Sequence, residues 1–269
     1  MKTGMLTKTL LALAAAIVII YGLRVWLIPD LEIKQAKVAT VVKTEVAAEK
    51  IPDFNSITDV KEKKIAFFDF LTPSIERENA IIAKERSMII EFQQQLQAGN
   101  TLDDDTVDYL TALASKYKLT PQAINAERLQ RLLKRVDVIP QNMVLIQAAN
   151  ESGWGTSRFA RMGFNFFGQW CFKKGCGLVP LSRTEGMNHE VAKFDSVNAS
   201  VSSYMRNLNT NAAYQTLRTI RLDMRRDGQE PNATALIHGL INYSERQGEY
   251  IDELLQMLQH NQDFLVSEG

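Results

Sequence analysis

The stretch QAANESGWGTSRFARMGFNFFGQW, residues 147–170, contains the side chains most suited to chemistry in this sequence. Glu151 stands between an apolar segment and the turn residues Gly153, Trp154 and Gly155, and seven of the 19 residues from Trp154 to Phe172 are aromatic. A carboxyl group keeps its proton near neutral pH only when desolvation raises its pKa. A glutamate at the end of a buried helix and beside aromatic rings has such an environment, which suits a general acid.

The same residues have a second interpretation. Glu151 would then be a solvent-exposed acid at a helix end, and the aromatic residues would belong to the core. The first interpretation would suit the hydrolysis of a glycosidic bond, which usually needs a protonated carboxyl group beside the leaving oxygen. Aromatic faces would also stack on sugar rings. Residue types alone leave both interpretations open.

The segments around Glu151 predict the elements that hold it. Pro140 begins a helix, and IPQNMVLIQAAN (139–150) is apolar nearly all round, which is typical of a buried helix. Residues 178–195 predict a β-hairpin around Gly186, Met187 and Asn188. Further helices are predicted at residues 125–136, 196–208, 213–227, 232–241 and 249–260. We expect the four arginines of RTIRLDMRR (218–226) to form a solvated helix face, with contacts to peptide carboxylates as the alternative.

Two more helices are predicted upstream. Thr72 has the character of an N-cap and Pro73 that of a first helical residue for a helix that ends near residue 100. Residues 101–118 predict a second helix, which would pair with the first as a hairpin. We expect this hairpin to be scaffold, and it could also cover a groove at Glu151.

The N-terminal residues are typical of an export signal. Lys2 and Lys8 precede LLALAAAIVIIYGL (10–23), and Arg24 follows. We expect an uncleaved signal anchor in the inner membrane that leaves the rest of the chain in the periplasm, with a cleaved signal peptide as the alternative. The predicted division is a signal anchor at 1–30, a linker at 31–56, a helical region at 57–135 and a main domain at 136–269.

The remaining composition narrows the class of protein. Cys171 and Cys176 predict a local disulfide in an oxidising compartment, and a zinc site would need two more ligands. No metal or other cofactor is predicted. A net charge of zero does not favour nucleic acid, and no phosphate-binding glycine motif indicates a nucleotide. A neutral polymer such as a glycan fits better.

Three segments carry a resemblance to a known family. ESGWGTSRFAR (151–161), followed by NFFG (165–168), resembles the signature of glycoside hydrolase family 73, the lysozyme-like β-N-acetylglucosaminidases that cut peptidoglycan. KFDSVNASVSSYMRNLNTNAAY (193–214) and INYSERQGEYIDELLQML (241–258) resemble later segments of the same family, with Ala213 in the place of a proline. Over its whole length the chain is most similar to the Bax-like members of this family.

The resemblance implies a mainly α (α+β) fold, in which a lysozyme-like helical domain carries a small β-hairpin lobe. It implies that Glu151 is the general acid and that the hairpin supplies a second catalytic acid. We expect Glu185 in that role, with Glu190 as the alternative. The peptidoglycan glycan strand would contact a set of substrate-binding residues, namely Trp154, Asn165, Phe167, Tyr214 and Tyr243.

The resemblance leaves several functions open. The second acid could be a retaining nucleophile or an inverting base, or the N-acetyl group of the substrate could be the nucleophile. A lytic transglycosylase, which needs only one acid, is an alternative to a hydrolase. A non-catalytic peptidoglycan-binding or scaffolding module is another.

Overall fold

The computed structural model describes residues 50–181, 183, 186 and 188–266. The predicted signal anchor, most of the predicted linker and Glu185 lie outside the described residues. Within the described ranges, no helix combines the length and the apolar character needed to cross a membrane.

The first helix, α1, spans Val60–Gln97, and the Asp59 side chain caps it by accepting a hydrogen bond from the Glu62 N–H at 2.8 Å. The prediction that this helix begins at Thr72 was wrong, because Pro73 lies inside it. A proline inside a helix costs about 3 kcal/mol, since it cannot donate an N–H and its ring crowds the preceding turn. The turns before the proline bury three large side chains, which offsets that cost: Phe67, Phe68 and Leu71.

Eight more α-helices follow in the described residues, and all of them except Arg158–Gly163, which the sequence did not predict, lie close to their predicted positions. They are α2 (Asp104–Lys116), α3 (Ala126–Arg135), α4 (Gln141–Ser152), α5 (Arg158–Gly163), α6 (Val197–Thr210), α7 (Gln215–Arg226), α8 (Ala233–Ile237) and α9 (Gly248–His260). Short 3₁₀ turns span Ala212–Tyr214, His238–Leu240 and Gln262–Phe264. Polar N-cap side chains begin five of the helices by accepting a backbone N–H, at Asp103, Asn125, Ser157, Ser196 and Asn232. The mainly helical prediction is confirmed.

A small antiparallel sheet has the strand order β1-β3-β2, with β1 at Trp170–Cys171, β2 at Gly177–Leu178 and β3 at Glu190–Ala192. Strands β2 and β3 are the predicted hairpin, with Leu178 opposite Val191. The sequence did not predict β1, because two residues inside an aromatic run show no alternation. Gly177 is required in β2, since a β-carbon there would lie 2.0 Å from the carbonyl oxygen of Val191.

Helix α1 packs against α3, α4 and α6, so it belongs to the same core as the Glu151 helix. Helix α2 is tied to α1 through Glu85, whose carboxylate binds the Lys116 ammonium at 2.5 Å and the Tyr117 hydroxyl at 2.7 Å. The upstream helices are therefore a supporting layer for the rest of the fold.

The predicted solvated arginine face of α7 was wrong for Arg218 and Arg221, which are buried. Arg218 donates to the carbonyl oxygens of Leu208 and Asn211 at 2.7 and 2.8 Å. Arg221 donates to four carbonyl oxygens at or after the end of α3, including that of Asp137 at 3.0 Å. Carbonyl groups at helix ends lack partners within their own helix, so these guanidinium groups satisfy them.

Candidate active site

Glu151 lies in the last turn of α4, and the residues after it fix where the helix ends. Gly153, Trp154 and Gly155 all have left-handed backbone conformations, with φ values of 57°, 58° and 75°. The Ser152 hydroxyl donates to the Ala148 carbonyl oxygen at 2.6 Å and accepts from the Gly155 N–H at 2.8 Å. A β-carbon at Gly155 would lie 2.4 Å from the ring of Phe54, so the second glycine is required by close packing.

The carboxyl group of Glu151 is partly buried and has one hydroxyl partner. Its Oε1 accepts a hydrogen bond from the Tyr250 hydroxyl at 2.8 Å. Its Oε2 faces the backbone of Gly168, where an added β-carbon would lie 3.6 Å away. Burial raises the pKa of Glu151 above its ordinary value, although the Tyr250 hydrogen bond and the charge of Arg246 lower it. The net direction is upward, as a general acid requires.

Buried side chains hold Tyr250 in place. The Gln147 Nε2 donates to the Tyr250 hydroxyl oxygen at 3.0 Å, and the Tyr204 hydroxyl donates to the Gln147 Oε1. The Tyr250 ring stacks on the Tyr243 ring with centroids 5.4 Å apart. Helices α4, α6 and α9 thus contribute to one hydrogen-bonded network that ends at the carboxyl group of Glu151.

The sequence prediction omitted Tyr250, Gln147, Tyr204 and Gly168 from the site. Gln147 precedes Glu151 by four residues in the same helix, and this spacing already indicates a shared face. Tyr250 stands in the segment that carried the family resemblance. Tyr204 gave no signal beyond an apolar helical pattern, because its partner lies 57 residues away in the chain.

Two predicted substrate-binding residues lie near Glu151. The rings of Tyr214 and Tyr243 have centroids 6.0 Å apart. Burial raises the pKa of both hydroxyl groups, and the charge of Glu151 raises it further. The Tyr243 hydroxyl also donates to the Phe167 carbonyl oxygen at 2.9 Å, which joins the tyrosines to the loop before β1.

The other predicted substrate-binding residues have structural partners. Asn165 is buried, and its side chain accepts from the Gln169 N–H at 3.0 Å and donates to the carbonyl oxygens of Gln169 and Ala192, each at 2.8 Å. Phe167 is buried against Tyr204, with ring centroids 3.9 Å apart. These contacts shape the loop that faces Glu151.

Trp154 is half-buried and packs against α1. Its ring lies 5.6 Å from that of Phe67 and 5.3 Å from that of Phe68, measured between centroids, and the Lys64 ammonium lies 5.5 Å from it. Side chains of α1 therefore support the turn that follows Glu151.

The carboxylate of Glu190 is buried at the start of β3 and binds backbone amides. Its two oxygens accept from the N–H groups of Gly175 and Gly177 at 2.9 and 2.8 Å. These hydrogen bonds lower the pKa of Glu190. A disulfide between Cys171 and Cys176 closes the same loop.

A group of side chains beside the three-stranded sheet lies close enough together to be considered as a metal site. In the described part of the chain, Cys171, Cys176 and Glu190 form the group of candidate ligands that lie within 4.8 Å of one another. Because the two sulfur atoms form a disulfide, they are not thiolates and do not offer the charge that a metal ion needs. This group does not fit a metal site.

Comparison with known proteins gives two matches. The family model for glucosaminidase, described as mannosyl-glycoprotein endo-beta-N-acetylglucosaminidase, matches residues 126–263. The protein is 36% identical to Protein bax of Escherichia coli (strain K12) over 227 residues, which cover 84% of this chain and 79% of that protein. No solved structure matches the chain. The residues matched by the family model include Glu151 and the tyrosines around it.

Proposed function

Because the chain belongs to the glucosaminidase family, glycoside hydrolase family 73, and to its Bax-like members, we propose that it hydrolyses glycosidic bonds in peptidoglycan. The bond cut is the β-1,4 linkage after N-acetylglucosamine, and Glu151 is the general acid. The observation that carries this proposal is the partly buried Glu151 carboxyl group, whose pKa is raised by desolvation and which accepts a hydrogen bond from Tyr250.

The proposed reaction begins with a protonated Glu151. Its Oε2 faces the backbone of Gly168, and we propose that the leaving oxygen of the sugar approaches this carboxyl oxygen. Protonation of that oxygen as the bond breaks neutralises the leaving group. Tyr250 stabilises the carboxylate formed, and the hydrogen bond from Gln147 keeps the Tyr250 hydroxyl aimed at Oε1.

We propose Glu185 as the second acid. The alternative, Glu190, is buried, and each of its carboxylate oxygens accepts one N–H group of the loop, from Gly175 and Gly177, which favours a structural role. Tyr214 and Tyr243 would contact the N-acetyl group of the sugar. The anomeric configuration of the first product, measured by NMR, separates inversion from a retaining or substrate-assisted reaction.

The test is a digestion of purified peptidoglycan sacculi with the full-length protein, followed by mass spectrometry of the new chain ends. Reducing N-acetylglucosamine ends that disappear with Glu151→Gln are the expected result. Anhydro-muramyl ends would identify a lytic transglycosylase instead. Absence of cleavage by the wild-type protein, with binding that survives Glu151→Gln, would identify a non-catalytic binding module.

The apolar run at residues 10–23 supports a location at the periplasmic side of the inner membrane. We propose that this run anchors the chain there. Cell fractionation checks the proposal, since an anchored protein stays with the membrane at high salt and a cleaved one appears in the periplasmic fraction without the segment.

A further inference from the structure

A cleft of about 390 Å³ lies between α6 and the three-stranded sheet. Its lining includes two cations, two aromatic rings and three side-chain amides; the cations are Lys118 and Arg206, and the rings are Trp170 and Phe172. No acidic residue lines it within the described part of the chain. The cleft therefore has a positive and partly aromatic character that differs from the neutral charge of the whole chain.

The two cations have no anionic partner among the residues that the structure describes. The side chains of Lys118 and Arg206 are exposed, and neither makes an ion pair with a described residue. By contrast, Arg225 and Arg246 pair with Asp137 and Glu253 at 3.0 and 2.6 Å. Unpaired cations that line one concave surface favour an anionic ligand.

The aromatic residues of the cleft are also unusual. Among the seven aromatic residues from Trp154 to Phe172, Trp170 and Phe172 are the most exposed, at 58% and 77% of their surface. The Trp170 ring stacks on the imidazole of His189 with centroids 4.3 Å apart, which supports the ring from one face. Phe172 stands in the loop closed by the Cys171–Cys176 disulfide. Exposed rings in a concave surface are suited to stacking on sugars.

Two residues that line the cleft have links to the surroundings of Glu151. Gly168 faces the Glu151 Oε2, and the next residue, Gln169, lines the cleft and accepts from the Ser203 hydroxyl at 2.8 Å. On the other side, Asn207 of the cleft lowers the pKa of the Tyr214 hydroxyl group, whereas burial and the charge of Glu151 raise it. Gln169 and Asn207 of the cleft are thus each linked to the surroundings of Glu151.

The position of Lys118 is fixed by the fold. Lys118 has a left-handed backbone with a φ of 55°. The Arg135 guanidinium donates to the carbonyl oxygens of Lys118 and Thr210 at 3.1 and 3.2 Å, so it holds the end of α2 against the end of α6. Lys118 lies outside residues 126–263, so this cation is an addition to the part matched by the family model.

On the basis of the proposed function, we infer that this cleft is a subsite for a muramic acid unit that carries its acidic stem peptide. Trp170 stacks on the sugar ring, and Lys118 and Arg206 bind carboxylates of the peptide. The cleft thus selects peptide-substituted glycan strands over bare ones.

The experiment measures binding of the full-length, inactive Glu151→Gln protein to soluble glycan strands. The intact strands keep their stem peptides after an endopeptidase has cut the cross-links, and the stripped strands have lost their stem peptides to an amidase. Adding Lys118→Gln and Arg206→Gln is expected to weaken binding to intact strands by roughly 3- to 10-fold at low salt, as for two partly exposed ion pairs, and to weaken binding to stripped strands less, since these keep only the lactyl carboxylate of each muramic acid. High salt is expected to remove the difference.

The matched control carries Arg77→Gln and Lys84→Gln, which removes the same charge from exposed positions of α1. Equal weakening by the control and the cleft variant, or an equal effect of the cleft variant on intact and stripped strands, overturns the peptide subsite. Trp170→Ala is expected to weaken binding to both substrates, and unchanged binding would refute the stacking. Because binding is measured without hydrolysis, absence of cleavage by the wild-type protein leaves this test intact.

Discussion

Glu151 and Glu190 are both buried to some extent, but the protein holds their carboxyl groups in two different ways. Glu151 ends a buried helix and accepts one hydroxyl hydrogen bond, and desolvation raises its pKa. Glu190 begins a strand and accepts two backbone N–H groups, which lower its pKa. Burial alone therefore does not make an acid catalytic, because the number and kind of hydrogen-bond donors decide whether the protonated or the ionised carboxyl group is stabilised.

The two regions also differ in what supports them. Large buried side chains from α4, α6 and α9 surround Glu151, including Gln147, Tyr204 and Tyr250. Glu190 instead joins a loop that a disulfide closes, and its partners are glycine amides. An ionised Glu190 has the charge of a base, but it is buried and holds two N–H groups of the loop.

The largest expected effect comes from Glu151→Gln. An amide keeps the hydrogen bond from Tyr250 but cannot donate a proton to the leaving oxygen, so hydrolysis of sacculi should fall by roughly 10²- to 10⁴-fold. Release of soluble fragments measures the rate, and Glu91→Gln on the exposed face of α1 is the control. A variant that retains most of the activity would remove Glu151 from the general-acid role.

Glu190→Gln is expected to have a smaller effect on activity and a clear effect on the loop. The amide has one acceptor oxygen, and its NH₂ group would face a glycine N–H, so one of the two backbone donors loses its partner. Hydrogen exchange at Gly175 and Gly177 should become faster, and the Tm should fall. A loss of activity as large as that of Glu151→Gln, with unchanged exchange, would instead assign Glu190 as the second acid.

The sequence predicted features that depend on neighbours in the chain. The apolar run before Glu151 identified a buried helix end, and the predicted starts at residues 125 and 196 coincide with the N-caps Asn125 and Ser196. The glycines after Glu151 indicated the turn. Each of these signals is local, since capping and backbone conformation involve residues within one turn of each other.

The features that the sequence did not predict depend on distant partners. The start of α1 was missed because burial of Phe67 and Leu71 outweighs the preference of Pro73 for a first helical position. The burial of Arg221 was missed because its carbonyl partners belong to another helix end. Tyr250 meets Glu151 across 99 residues, a pairing that no local pattern encodes.

Tyr250→Phe removes the hydroxyl group that donates a hydrogen bond to the Glu151 carboxyl group. The hydrogen bond stabilises the carboxylate, so its loss raises the pKa of Glu151 further. A general acid works only while protonated, and the decline of activity at alkaline pH should therefore move to higher pH. The profile of hydrolysis against pH measures the shift, with Tyr109→Phe on α2 as the control. A decline that moves to lower pH would contradict the role of this hydrogen bond.

The smallest expected effect concerns stability. The pKa of Glu151 in the folded protein is raised above its ordinary value of 4.5, so ionisation of Glu151 destabilises the fold. This cost is absent at pH values below the pKa of Glu151 in the unfolded chain, and it is fully present above the pKa of Glu151 in the folded protein. The Tm of Glu151→Gln relative to wild type should therefore increase between about pH 4 and about pH 8, by on the order of 2 °C. Glu91→Gln corrects for the loss of one charge, and a difference that shrinks as pH rises would show that Glu151 is not desolvated.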